Sequence, residues 1–61
     1  MTPHEEFVAG YIEARTLVIR HISYIESGKA EEWRSLLPQL KKEQSFLEAI
    51  IAQLQAQAAH A

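Results

Sequence analysis

The chain has no cysteine, and no apolar run in its 61 residues approaches the roughly 18 residues that a membrane-spanning helix needs. The missing cysteine excludes disulfides and thiolate zinc sites, so association is the main support open to a chain too short to bury a large core. The N-terminal segment, residues 1–6, is acidic where a secretory signal is basic. We therefore expect one soluble, unprocessed, cytoplasmic domain that does not enter a membrane.

An excess of positive charge is also missing. Six Lys and Arg residues against eight Glu residues leave a net charge of −2, without the field that drives binding to phosphate backbones. The basic cluster of Arg34, Lys41 and Lys42 lies among glutamates, and a solvated helix face explains it. A stripe for structured RNA in a dimeric bundle is the alternative interpretation, but nucleic acid is not an expected partner.

With only two glycines and two prolines, the chain has few helix breakers, and the start and end of a first helix are marked. Thr2, Pro3 and Glu5 match a capping box with proline at the first helical position. Gly28 can take the left-handed conformation that ends a helix, so helix one is predicted over about 3–27. The side of helix one that is expected to pack against the second helix, here called its seam, has a three-four spacing. It consists of Val8, Tyr11, Arg15, Val18, Ile22 and Ile25.

A second helix is predicted over about 31–58, after a turn at 28–30. Pro38 either kinks this helix or marks the place where it restarts after a short first turn. The seam of helix two alternates spacings of four and three through Trp33, Leu37, Leu40, Gln44, Leu47, Ile51, Leu54 and Ala58. The predicted fold class is therefore all-α, an antiparallel two-helix hairpin.

Helix one is apolar well outside its seam. One antiparallel partner covers a stripe about 100° wide, and helix one presents roughly twice that width, so the hairpin needs another surface to pack against. We predict a homodimer that forms a four-helix bundle, a complex with a partner protein's amphipathic helix, or an exchange between the two. The residues expected to bind the partner are Phe7, Tyr11, Ile12, Ile19, Tyr24, Trp33, Phe46 and Ile50.

Three residues carry more specific expectations. Gly10, inside helix one, is expected where a neighbouring backbone comes close, because glycine costs roughly 1 kcal/mol relative to alanine in a helix. Tyr24 and Trp33 bracket the turn, where they either cap the end of the core or anchor a partner.

The sequence shows no catalytic or cofactor motif, so we expect neither enzymatic activity nor a cofactor. His4, His21 and His60 lack the spacing that places two ligands on one helix face, and no metal site is predicted. Arg15 and Gln44 are polar residues within the two seams. They either form a pair that sets the register of the helices or grip an anion in the core.

The order of features after helix one resembles a known family. A glycine turn is followed by an aromatic residue and then by Lys42-Glu43, Leu47-Glu48 and Ile51-Ala52. This layout resembles the small helical-hairpin co-chaperones of type III secretion needle subunits, with specificity over about the last twenty residues, whereas Pro38 departs from the pattern. The resemblance implies a protein without catalytic function that pairs with a larger helical-repeat chaperone and helps to keep a needle subunit unpolymerised.

The expected function is therefore protein-protein interaction through an apolar helical face, as an adaptor or co-chaperone. The alternatives are a homodimeric regulator or inhibitor, of the kind found in phages and toxin-antitoxin systems, and an RNA-binding four-helix bundle.

Overall fold

The computed structural model describes residues 2–59, with side chains described as far as Gln57. It contains two α-helices, α1 over Pro3–Glu26 and α2 over Leu37–Ala59, and a 3-10 helix over Glu31–Leu36 between them. No strand occurs among the described residues, which confirms the all-α prediction. The side chain of Ala58 and all of His60, which entered the predictions above, lie outside the described part.

The first helix begins with the capping box that the sequence indicates. The Glu5 amide donates a hydrogen bond to Thr2 Oγ1 at 3.1 Å, and the Thr2 amide donates to Glu5 Oε1 at 3.5 Å. At the other end Ser27 is the C-cap, one residue after the helix ends. Gly28 has φ of 85°, and its amide donates to the Ile25 carbonyl at 3.0 Å, so the chain turns where only glycine is free of strain.

The segment before Pro38 is a 3-10 helix rather than the first turns of an α-helix. A 3-10 helix turns about 120° per residue instead of 100°, so a residue inside it leaves the line that α-helical spacing would give it. Trp33 is accordingly 53% exposed, although the sequence pattern places it in the seam. Leu37 is α-helical with φ −54° and ψ −46°, and Pro38 lies in the first turn of α2, where a missing amide hydrogen costs little.

Contacts at both ends show that α1 and α2 run antiparallel. Near the turn, Lys41 Nζ lies 3.0 Å from Glu26 Oε2. At the opposite end, the His4 ring nitrogen Nε2 donates to the Leu54 carbonyl at 3.2 Å. The helices therefore form a hairpin that extends from the turn to the level of His4 and Leu54.

The core is narrow. The buried hydrophobic residues among those described are Val8, Ile22, Ile25, Ala30 and Ile51. The radius of gyration is 14.1 Å, against about 10.5 Å for a compact domain of this length. The hairpin is thus a single layer of two helices with two broad sides toward solvent. Within the described part, neither helix combines the length and the apolar character that a membrane crossing requires.

Candidate functional site

One broad side of the hairpin carries a second line of residues next to the α1 seam. These residues alternate spacings of three and four, one position before the seam residues, and are Phe7, Gly10, Ala14, Leu17, His21 and Tyr24. From the second half of the chain, Leu36, Leu40 and Leu47 lie beside them. We call the surface formed by these nine residues the open face.

The end of the open face far from the turn is a groove of about 390 Å³, lined by Phe7, Gly10, Tyr11, Ala14 and Leu47, with Glu6 at its rim. Phe7 and Tyr11 form one wall as an edge-to-face pair with ring centroids 5.2 Å apart. Apart from the neighbouring backbone of its own helix, a Cβ atom added at Gly10 would meet no described atom within 4 Å. The expectation of a close neighbouring backbone at Gly10 is therefore wrong within the chain, because this side of α1 faces the open groove rather than α2.

The end near the turn is a second groove, of about 350 Å³, lined by His21, Tyr24, Ile25, Trp33, Leu36 and Leu40. Tyr24 and Trp33 are each about half exposed, at 49% and 53%. Lys29 Nζ lies 5.9 Å from the centroid of the Tyr24 ring, a distance at which a cation and a ring attract each other weakly. The two aromatic residues form the walls of an open groove and do not close the end of the core.

Four of the residues predicted to bind a partner lie along these two grooves. They are Phe7, Tyr11, Tyr24 and Trp33. Ile12 and Ile19 follow the seam by one position instead of preceding it, which places them on the opposite flank of α1. Ile19 is exposed there and Ile12 is half-buried. The predicted set is thus divided between two sides of the hairpin.

The two predicted residues on α2 differ from each other. Phe46 is 64% exposed and lies on the outer side of α2 with Gln39, Lys42 and Glu43. Ile50 is half-buried. Phe46 therefore lies outside both apolar grooves, and Ile50 contributes part of its surface to packing within the hairpin.

Sequence reasoning assigned no binding role to several residues of the open face. Gly10, Ala14 and Leu17 were not singled out as partner contacts because they are small or lie off the seam. Leu36 was missed because an α-helical wheel misplaces a residue of a 3-10 helix. The signal that could have found the first three is the second three-four register that starts at Phe7.

The two polar seam residues do not pair. The Gln44 amide nitrogen donates to Glu48 Oε1 at 2.9 Å, one turn along the same helix. Arg15 Nε is buried and has no hydrogen-bond partner among the described residues. Since no hydrogen bond between described residues joins Arg15 to Gln44, the pair that would set the register is not formed.

The open face is chemically simple. Its grooves are lined mostly by apolar side chains, with Glu6 at the rim of the first groove and His21 in the lining of the second. Among the residues that the structure describes, no three His, Cys, Asp or Glu side chains cluster so that they could hold a metal ion. Such a surface suits the burial of apolar side chains from another helix.

Comparison of the chain with models of protein families, with curated proteins and with solved structures gave no match. The class of protein is therefore defined by the fold and the site alone: a helical hairpin with one long apolar side that the described residues leave uncovered.

Proposed function

We propose that this protein is a non-catalytic interaction module that works through its open face and associates with a second hairpin to form a four-helix bundle. The observation that carries the proposal is the exposure of large apolar side chains on a helix whose seam is already packed. Phe7, Leu17 and Tyr24 are each about half exposed and lie in one line on α1. Exposed apolar residues that form a continuous line mark an interaction surface.

The surface area of the chain supports association. The accessible surface is 4,679 Å², whereas a compact monomer of 6.9 kDa exposes about 4,000 Å². The excess of about 700 Å² is close to the roughly 800 Å² that each partner contributes to a standard protein interface. Burying an area of this size against a partner would return the hairpin to the exposure expected for its mass.

Charge supports a protein rather than a nucleic acid as the partner. Lys41 is paired with Glu26 at 3.0 Å, and Arg34 lies 3.8 Å from Glu31. These ion pairs neutralise two of the three residues of the basic cluster, and the net charge of the chain is −2. Little positive field remains to attract a phosphate backbone.

A partner of different sequence would use the same face. The groove between Tyr24 and Trp33 has room for a large apolar side chain of an amphipathic helix, as an adaptor or co-chaperone function requires. The resemblance to co-chaperones of type III secretion needle subunits stays a prediction. In this alternative the isolated protein would be a monomer, and a partner helix would change the fluorescence of Trp33, which is the only tryptophan of the sequence.

The test is the molar mass in solution of wild type and of Leu17→Glu, measured by light scattering after size-exclusion chromatography at about 100 µM. Leu17 lies in the middle of the open face, so a carboxylate there should be desolvated by a partner and prevent association. We expect about twice 6.9 kDa for wild type and a single chain for Leu17→Glu. Ser23→Glu, exposed on the other side of α1, is the matched control and should leave the dimer intact.

A folded wild-type monomer at that concentration would contradict self-association and would leave the heterologous complex as the function of the open face.

A further inference from the structure

The open-face residues of α1 have an order of sizes in which small residues meet large ones when the line is set against its own reverse. The line begins and ends with an aromatic residue, Phe7 and Tyr24. Between them, the small Gly10 and Ala14 precede the larger Leu17 and His21. In an antiparallel helix pair each position meets a position from the other end of the line, so such an order can be complementary to itself.

We propose that the occupant of the open face is a second copy of this chain, with the two α1 helices antiparallel about a two-fold axis between Ala14 and Leu17. This inference rests on the proposed function and adds the direction and register in which the two copies pack. In this register Ala14 lies opposite Leu17, Gly10 opposite His21, and Phe7 opposite Tyr24. Each pair occurs twice, as a two-fold interface requires.

The sizes within each layer fit this register. The space at Gly10, where an added Cβ would meet no described atom outside its own helix within 4 Å, receives the His21 imidazole of the other copy. Ala14 leaves room for Leu17, and the two aromatic rings close each end of the interface. A parallel pair in register would instead place Gly10 on Gly10 and leave a void, while the bulky residues would meet each other. A glycine that costs helix stability thus has a packing role in the dimer.

The charges beside the open face give independent support. Glu13 and Arg20 are both exposed and lie along its outer edge, and neither forms an ion pair with another described residue. In the proposed register Glu13 of one copy faces Arg20 of the other, on both sides of the two-fold axis. Residues that flank the core of an antiparallel helix pair commonly select direction by such pairing.

Cysteine crosslinking tests the register, because the natural sequence has no cysteine. We would mix Gly10→Cys and His21→Cys proteins, oxidise them mildly and measure the disulfide-linked species by intact mass spectrometry. The proposal predicts the mixed dimer, since residues 10 and 21 are opposite. A disulfide between two Gly10→Cys chains cannot form in this register, because eleven residues of helix separate the two sites by about 16 Å. Ala9→Cys with Ser23→Cys, exposed on the other side of α1, is the control pair.

The outcomes separate the two claims. A predominant mixed disulfide supports the proposal. Disulfides between identical variants, or none beyond the control pair while light scattering shows a wild-type dimer, would overturn the register and leave self-association standing. A wild-type monomer by light scattering would overturn the proposed self-association itself.

A charge exchange is the second measurement and needs no cysteine. Glu13→Arg and Arg20→Glu should each weaken the wild-type dimer by about tenfold, because each places like charges opposite one another twice. The double variant restores opposite charges and should recover most of the affinity. A double variant as weak as the single ones, measured by sedimentation, would show that the two residues do not face each other.

Discussion

Two lines of residues on α1 have the same spacing, but one line is buried and the other is exposed. The seam, represented by Val8, Ile22 and Ile25, is buried against α2, whereas the open face, one position away on the same helix, is largely exposed. The spacing is three and four in both lines. The comparison shows that a three-four spacing marks an apolar line but does not say whether the chain itself covers that line. A hairpin has a single interface between its two helices, so α2 can cover only one of the two lines on α1.

The largest expected effect comes from truncating one residue of each line and varying the protein concentration. Ile25 is 3% exposed, so Ile25→Ala should destabilise the hairpin by about 2–5 kcal/mol at any concentration. Leu17 is 47% exposed in the hairpin, so Leu17→Ala should cost stability only at concentrations where the dimer forms. Urea unfolding followed by circular dichroism, at about 2 µM and 200 µM, measures both.

An equal loss of stability for Leu17→Ala at both concentrations would contradict this distinction between the two lines, since Leu17 would then stabilise the single hairpin and not an interface.

Alanine substitution of the two glycines should have smaller effects on stability, and these effects should be of opposite sign. Gly28→Ala should cost roughly 1–2 kcal/mol, because φ of 85° is strained for a residue with a Cβ atom. Gly10→Ala should do the reverse in the Leu17→Glu background, where the open face stays uncovered, and stabilise α1 by about 0.5–1 kcal/mol. Thermal unfolding of the two variants beside their parents gives both values. Destabilisation by Gly10→Ala in that background would mean that something inside the hairpin already fills the groove.

Arg15 tests whether a polar residue in the seam serves stability. Its Nε is buried without a hydrogen-bond partner among the described residues, so Arg15→Met should be neutral or stabilise the hairpin by up to about 1 kcal/mol. Urea unfolding in the Leu17→Glu background keeps dimerisation out of the measurement, and Arg20→Met, at an exposed position, is the control and should change stability by less than about 0.5 kcal/mol. A clear loss for Arg15→Met alone would show that the guanidinium is stabilising.

The smallest expected effect concerns the ion pair that joins the ends of α1 and α2. Both partners of the 3.0 Å contact between Lys41 and Glu26 are about half exposed, so Lys41→Met should cost less than about 1 kcal/mol, and less still at high salt. Unfolding in low and high salt provides the check. A larger loss of stability that does not depend on salt would show that this ion pair contributes as much as a buried residue of the seam.

Local signals in the sequence predicted much of the fold. The capping box of Thr2 and Glu5 and the glycine turn at Gly28 depend on neighbouring residues, and the structure confirms both. The 3-10 segment was not predicted, because the spacing of Trp33 from Leu37 and Leu40 also fits the seam of a continuous α-helix. Its conformation depends on how the chain crosses from the turn to α2 ahead of Pro38, which is a tertiary constraint.

The candidate site was predicted less completely. Aromatic residues such as Phe7 and Tyr24 are conspicuous in the sequence, and they do lie on the open face. The second three-four register places the small residues Gly10 and Ala14 on the same side of α1 as Phe7, but the groove that they form with Leu47 depends on packing between the helices. A sequence pattern gives the direction of a side chain on its own helix, but the neighbour across the groove depends on packing.

The central claim is that the open face is covered by a second copy of the chain, and thermal unfolding across a hundredfold range of concentration tests it most directly. A dimer that unfolds to two chains should gain about 10 °C in its midpoint from about 2 µM to 200 µM, because dilution favours the separated chains. A midpoint that stays constant over this range, with the full helical signal of the native protein, would contradict the account.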